Sequence, residues 1–169
     1  MNQNNKSTKS VRYLTTAAII AALYVVFTGI SAMFGMASGV IQIRLSEALT
    51  VLPYFTPAAI PGVTIGCLLA NLLTGAPLPD IIFGTLATFL GVLGASLLRK
   101  KKYLIALPTI LSNALIIPLV LQYAYGVPDG FWFLFLTVGA GEVISAGILG
   151  HLLLYVLNSC FHFGPSFLR

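Results

Sequence analysis

The sequence predicts an all-α integral membrane protein with six transmembrane helices. Three observations carry this expectation. The 169 residues are 58% hydrophobic and only 8% charged, where a soluble domain carries about 25% charged residues. The apolar residues fall in runs close to the roughly 20 that a helix needs to cross a bilayer. The net charge of +5 comes mainly from the N-terminal region and from Arg99, Lys100, Lys101 and Lys102. That arrangement reads as membrane topology before it reads as nucleic-acid binding. Six spans use nearly the whole chain and leave no room for a separate soluble domain.

In chain order, residues 1–10 are polar and are expected to form a disordered tail, followed by a single transmembrane domain over 11–169. The first span covers 11–33. Its basic lead (Lys6, Lys9, Arg12) is like that of a signal peptide, but its apolar stretch of about 22 residues is longer than a signal core of roughly 7–15, so cleavage is not expected. Residues 34–43 form a connector or a lid over an outer cavity. The second span, 44–55, is the weakest. It is short, and Pro53, Pro57 and Pro61 recur at four-residue spacing, each removing a helix hydrogen bond. Such interrupted backbone survives in a membrane only where protein or a cavity covers it. The third span is 58–73, ended by Gly75, Pro77 and Pro79. The fourth, 80–98, closes on the basic cluster. The fifth, 103–125, contains Pro108 and Pro118. After a turn at 126–130, the sixth covers 131–157 and is long enough to tilt or protrude. With six spans, both termini and the loop after the fourth share a side. Lys6, Lys9, Arg12, Arg169 and the basic cluster all fall there, so both termini are expected to be cytoplasmic in a multi-pass cell-membrane protein.

The few polar groups then sort by depth. Arg44 and Glu47 sit at the outer end of the second span, Asp80 starts the fourth on the same side, and Asn71 lies one turn inside. Glu142 is eleven residues into the sixth span, about 16 Å down at 1.5 Å per residue. Asn113 is near mid-depth in the fifth. The cytoplasmic half holds no carboxylate, which points to a polar cavity open to the outside. Plainer roles exist for most of these groups. Asp80 can cap the fourth helix, Glu47 can pair with Arg44, and Asn71 can bond between helices. Trp132, with Phe131, fits an aromatic-belt anchor as well as a ring that stacks on a ligand. Glu142 is harder to dismiss. An acid at mid-helix costs about 2.5–3.5 kcal/mol on insertion scales and is functional by default. The adjacent small residues Gly139, Ala140 and Gly141 would give a ligand room. Ala17, Ala18, Ala21 and Ala22 form two overlapping Ala-x-x-x-Ala pairs, a ridge for close helix packing, and Gly62 and Gly66 make a similar surface on the third span.

Several function classes lack their residues. There is no Walker-type glycine loop, so ATP hydrolysis is not expected in this polypeptide. Cys67 and Cys160 are isolated, with neither a disulfide framework nor metal spacing. His151 and His162 lie toward the cytoplasmic end without a nearby carboxylate, so no catalytic set, metal or cofactor is expected.

The run Gln42-Ile43-Arg44-Leu45-Ser46-Glu47-Ala48-Leu49-Thr50 leads into Leu52-Pro53-Tyr54-Phe55. Gly62-Val63-Thr64-Ile65-Gly66-Cys67 and Ala70-Asn71-Leu72-Leu73 follow. Then come Asp80-Ile81-Ile82-Phe83-Gly84-Thr85 and, later, Gly141-Glu142-Val143-Ile144-Ser145-Ala146-Gly147. These runs resemble the QueT family, the queuosine-precursor members of the substrate-binding S-components of energy-coupling-factor (ECF) transporters. The resemblance covers nearly the whole chain. It implies a six-helix S-component bundle that binds a vitamin-like compound from outside and docks on a membrane coupling subunit, EcfT, which carries two cytoplasmic ATPases. It implies that the alanine ridge, here Ala17, Ala18, Ala21 and Ala22, is the docking surface. It also implies a deazaguanine substrate such as 7-aminomethyl-7-deazaguanine. A carboxylate can accept two adjacent donors of a guanine-like edge, and an aminomethyl ammonium wants a second carboxylate. Glu47, Glu142, Asp80, Asn71, Arg44 and Trp132 are the candidate contacts. A different vitamin or nucleobase on the same fold, or a self-sufficient ion-coupled secondary transporter, are the alternatives.

Overall fold

The computed structural model describes residues 3–36 and 42–161, with side chains over 7–36 and 42–159. Every regular element among them is a helix. Helix α1 (Gln3–Met33) starts well before the expected first span. The polar lead through Ser10, expected to be disordered, is carried as extra turns of the same helix, because no Gly or Pro interrupts it. A 3-10 helix, η1 (Leu45–Tyr54), follows, then α2 (Ala59–Leu73) and α3 (Leu78–Leu97). A 3-10 turn at Lys102–Leu104 leads to α4 (Leu107–Ala124). The last three elements are one continuous rod: α5 (Phe131–Glu142), a π-helical segment (Val143–Leu149) and α6 (Gly150–Phe161).

Four of these stretches are long and apolar enough to cross a bilayer: Ser7–Met33, Leu78–Leu97, Lys102–Ala124 and Phe131–Ser159. Of the six expected spans, the second, already the weakest by sequence, and the third are shorter than the others. The 15 residues of α2 reach about 22 Å at 1.5 Å per residue. Where an α-helical second span was expected, η1 winds as a 3-10 helix of ten residues with Pro53 inside it, about 20 Å long at 2.0 Å per residue. Neither matches a hydrocarbon core of roughly 30 Å. The same prolines that weakened this region in the sequence explain it, since each deletes a donor from the ladder. Ser46 through Pro53 are all buried, with α1, α2, α3, α6 and the π segment packed around them. The irregular backbone is thus kept off the lipid, as the bilayer requires.

Burial runs in the sense expected in lipid. Leu69, Leu72, Leu90, Leu93, Leu115, Leu119 and Leu152 are exposed, while Thr28, Ser46, Glu47, Thr50, Asn71, Asp80, Asn113, Glu142 and Ser145 are buried. A protein that turns leucine outward and carboxylates inward has a hydrocarbon solvent. It is a helical membrane protein.

Close helix contacts set the bundle. Helices α1 and α2 run side by side in the same direction, with Gly62 against Ala17 and Ile20, and Gly66 against Ala21 and Tyr24. A methyl group added at Gly62 would lie 2.8 Å from the Ala17 carbonyl oxygen, and one at Gly66 2.7 Å from Tyr24 Cβ. Backbones approach this closely only through small residues. Ala17 and Ala21 are therefore buried inside the bundle, whereas Ala18 and Ala22 face outward. The alanine ridge is two faces, and one of them is already occupied by α2. Helices α3 and α4 pack antiparallel through Gly91 on Thr109 and Gly94 on Pro108.

Candidate functional site

Polar side chains from every part of the bundle meet at two levels. The deeper level holds two carboxylates. Glu47, on the first turn of η1, is 1% exposed, and its Oε1 accepts a short hydrogen bond from the Tyr24 hydroxyl of α1. Glu142, the last residue of α5, is 7% exposed. The Asn113 amide of α4 interacts with both. Oε2 of Glu47 and Oε2 of Glu142 are buried without a hydrogen-bond partner. A buried acceptor without a partner costs about 1–3 kcal/mol, and more when charged. These two oxygens could accept donors from a bound molecule.

The chain holds this cluster with backbone-anchoring hydroxyls. Ser145 Oγ accepts from the Arg44 N–H at 3.1 Å, and Ser31 Oγ accepts from the Leu45 N–H at 2.9 Å. Thr28 Oγ1 bonds Ser46 Oγ at 2.8 Å. The orphan N–H groups at the start of η1 are thereby tied to α1 and the π segment, which fixes where Glu47 points. Near Glu47, Cys67 Sγ lies 3.4 Å from Thr88 Oγ1 and 3.6 Å from Asn71 Nδ2. Cys67 is a free, buried thiol.

The outer level is a cavity of about 290 Å3 whose wall includes Thr28, Arg44, Asn71, Thr74, Asp80 and Tyr125. Arg44 Nη2 stands 3.9 Å from Asp80 Oδ2, and the Tyr125 hydroxyl donates to that same oxygen at 3.1 Å. Tyr125 follows the last turn of α4, outside the spans. Partial burial and the Asp80 charge push its phenol up to about 12, so it stays a donor. Arg44 belongs to both levels, since it lines the cavity and also lies within electrostatic range of Glu47 and Glu142.

Most of the sequence candidates are thus brought together, with changed roles. Arg44 pairs with Asp80 and Glu47 bonds Tyr24, so the alternative Arg44–Glu47 interfacial pair is not the main contact of either. Asp80 does not cap α3 through its side chain. Gly141 leaves no space for a ligand: a methyl group there would sit 2.1 Å from the Gln42 carbonyl oxygen, so the small residue admits the returning backbone. Trp132 is 73% exposed and its ring packs edge-on against Phe131 and Phe135, apart from the cluster and in the position of a belt anchor. Of the segment expected as a connector or lid, residues 37–41 lie outside the described residues. Its ends are joined by an Ile43 N–H bond to the Met36 carbonyl at 2.8 Å. His151 is bonded at the other end of the bundle, to the Gly147 and Lys102 carbonyls, and His162 lies outside the described residues. Among the described residues no group of three potential ligands could hold a metal ion. Tyr24, Asn113 and Tyr125 were not selected from sequence as site residues. Asn113 had a usable signal, an amide at mid-depth of an apolar helix. The other two had none.

Chemically, the two carboxylate oxygens suit a small donor-rich or cationic molecule, and Arg44 links them to the polar cavity. A family profile described as QueT transporter matches residues 14–159. A Lactococcus lactis subsp. cremoris (strain MG1363) protein named queuosine precursor transporter QueT is 41% identical over 90 residues, which is 50% of this chain and 53% of that protein. The chain thus matches about half the length of that curated relative. No solved structure matches the chain.

Proposed function

The chain belongs to the QueT transporter family, and from that premise we propose that it is the S-component of an ECF-type importer for a deazaguanine precursor of queuosine, such as 7-aminomethyl-7-deazaguanine. One observation carries the proposal beyond the family: Glu47 and Glu142 each keep a buried oxygen without a partner. The deazaguanine edge offers two adjacent N–H donors, which one carboxylate accepts as a fork. The aminomethyl ammonium supplies the charge the other carboxylate lacks. Asn113 donates to or accepts from the ring between them. Asp80, Asn71, Arg44 and Tyr125 guide entry through the outer cavity. The resemblance to a protein named as a queuosine precursor transporter supports the same substrate class.

In this reading ATP is hydrolysed elsewhere, by two ATPase subunits joined to the chain through EcfT. The outward face of α1, at Ala18 and Ala22, meets that coupling subunit. The termini and the Arg99, Lys100, Lys101 and Lys102 cluster lie in the cytoplasm, which leaves the Asp80–Tyr125 end open to the exterior. Equilibrium titration of the purified protein with a panel of deazaguanines, purines and vitamins tests the substrate. 7-Aminomethyl-7-deazaguanine is expected to bind at least about a hundredfold more tightly than guanine, a difference of roughly 2.8 kcal/mol. Tighter binding of an unrelated vitamin would replace the deazaguanine in this reading.

A further inference from the structure

The site's charges do not balance when it is empty. Arg44 supplies one positive charge, and Asp80, Glu47 and Glu142 supply three negative ones if all are ionised. Arg44 is already engaged by Asp80. Glu47 has the Tyr24 hydroxyl on Oε1. Glu142 has the Asn113 amide and, within electrostatic range, the like charge of Glu47 and the Arg44 guanidinium that Asp80 already engages. The other groups that face the cluster offer no cation: Tyr24 comes from α1, the Cys67 thiol from α2, Asp80 from α3 and neutral Asn113 from α4. His151 is bonded at the far end of the bundle. Two buried carboxylates that share one guanidinium with Asp80 repel each other, and losing one charge relieves that repulsion.

We propose that the empty site holds a proton on Glu142 and that a cationic ligand displaces it, one proton leaving for each ligand cation bound. The O–H bond of the Glu142 carboxyl breaks, and the proton passes through the outer cavity to external water. The carboxylate then pairs with the ligand ammonium. The total charge inside the bundle is the same before and after, so the empty and loaded forms face the bilayer with equal charge. This inference rests on the substrate reading above and adds what selects the cationic form of the ligand. By linkage, affinity for the cation rises with pH, up to about tenfold per unit where release is complete, while a neutral analogue shows no such slope.

Calorimetric titration of the purified chain, in buffers of different ionisation enthalpy, measures the protons directly. 7-Aminomethyl-7-deazaguanine is expected to release about one proton per ligand bound, and the neutral 7-cyano analogue none. The Glu142→Gln variant is expected to bind the aminomethyl compound more weakly and with no release. Wild-type binding of the aminomethyl compound without proton release, or equal release by both compounds, overturns the exchange while leaving the substrate reading intact. Failure of the aminomethyl compound to bind removes the substrate reading and the exchange with it, whereas failure of the 7-cyano analogue alone is the cation selectivity the exchange predicts.

Discussion

Replacing Ala22 by tryptophan is expected to abolish uptake in cells that carry the ECF partners, while the purified variant binds ligand within about twofold of wild type, the usual range for a surface change. The split of the alanine ridge motivates this. Ala18 and Ala22 face outward from α1, whereas Ala17 and Ala21 are packed on α2. A large indole at position 22 points into lipid in the isolated protein and disturbs nothing. Against a partner helix it blocks the close approach that small residues permit. Ala21→Trp is the informative contrast. There the side chain must displace α2 at Gly66, so ligand binding and yield of folded protein are expected to fall together. Normal uptake by Ala22→Trp would place the docking surface elsewhere. Loss of binding in that variant would show that Ala22 serves the internal fold.

The second large effect is expected at Glu142. Glu142→Gln keeps the size of the side chain and removes its charge. If the carboxylate receives the ligand ammonium, the loss is about 1.5–3 kcal/mol, the scale of a hydrogen bond to a charged group. That corresponds to roughly a ten- to hundredfold rise in Kd. The loss should be confined to cationic ligands, because glutamine can still accept a neutral donor. Unchanged affinity for the aminomethyl compound in this variant would remove Glu142 from the site.

The long helices were legible because hydropathy and length are the bilayer's own criteria. The second span was legible only as a weakness. Its prolines announced a broken helix, but nothing local distinguishes a kinked α-helix from the buried 3-10 helix that forms once α1, α2 and α3 enclose it. The π segment at Val143–Leu149 left no mark at all, because one extra residue per turn is a packing outcome. Its sequence read as a span long enough to tilt. Glu47, Asp80, Asn71 and Glu142 stood out in the sequence because ionisable and amide groups are rare in apolar runs, and all four are buried. Tyr24 did not stand out, since one tyrosine in an apolar helix is unremarkable until Glu47 is set against its hydroxyl. The two faces of the alanine ridge were hidden for the same reason, as spacing reports that a ridge exists but not which neighbour takes it.

The proposed division of labour between this chain, EcfT and two ATPase subunits is tested most directly by uptake of radiolabelled 7-aminomethyl-7-deazaguanine into cells lacking other routes. Cells expressing the chain together with EcfT and the two ATPase subunits are expected to accumulate the label, and to stop when the ATPase Walker lysines are replaced. Cells expressing the chain alone are expected to bind label at the surface without accumulating it. Accumulation by the chain alone, collapsing when the ion gradient is dissipated, would contradict the account and make the protein a self-sufficient secondary transporter.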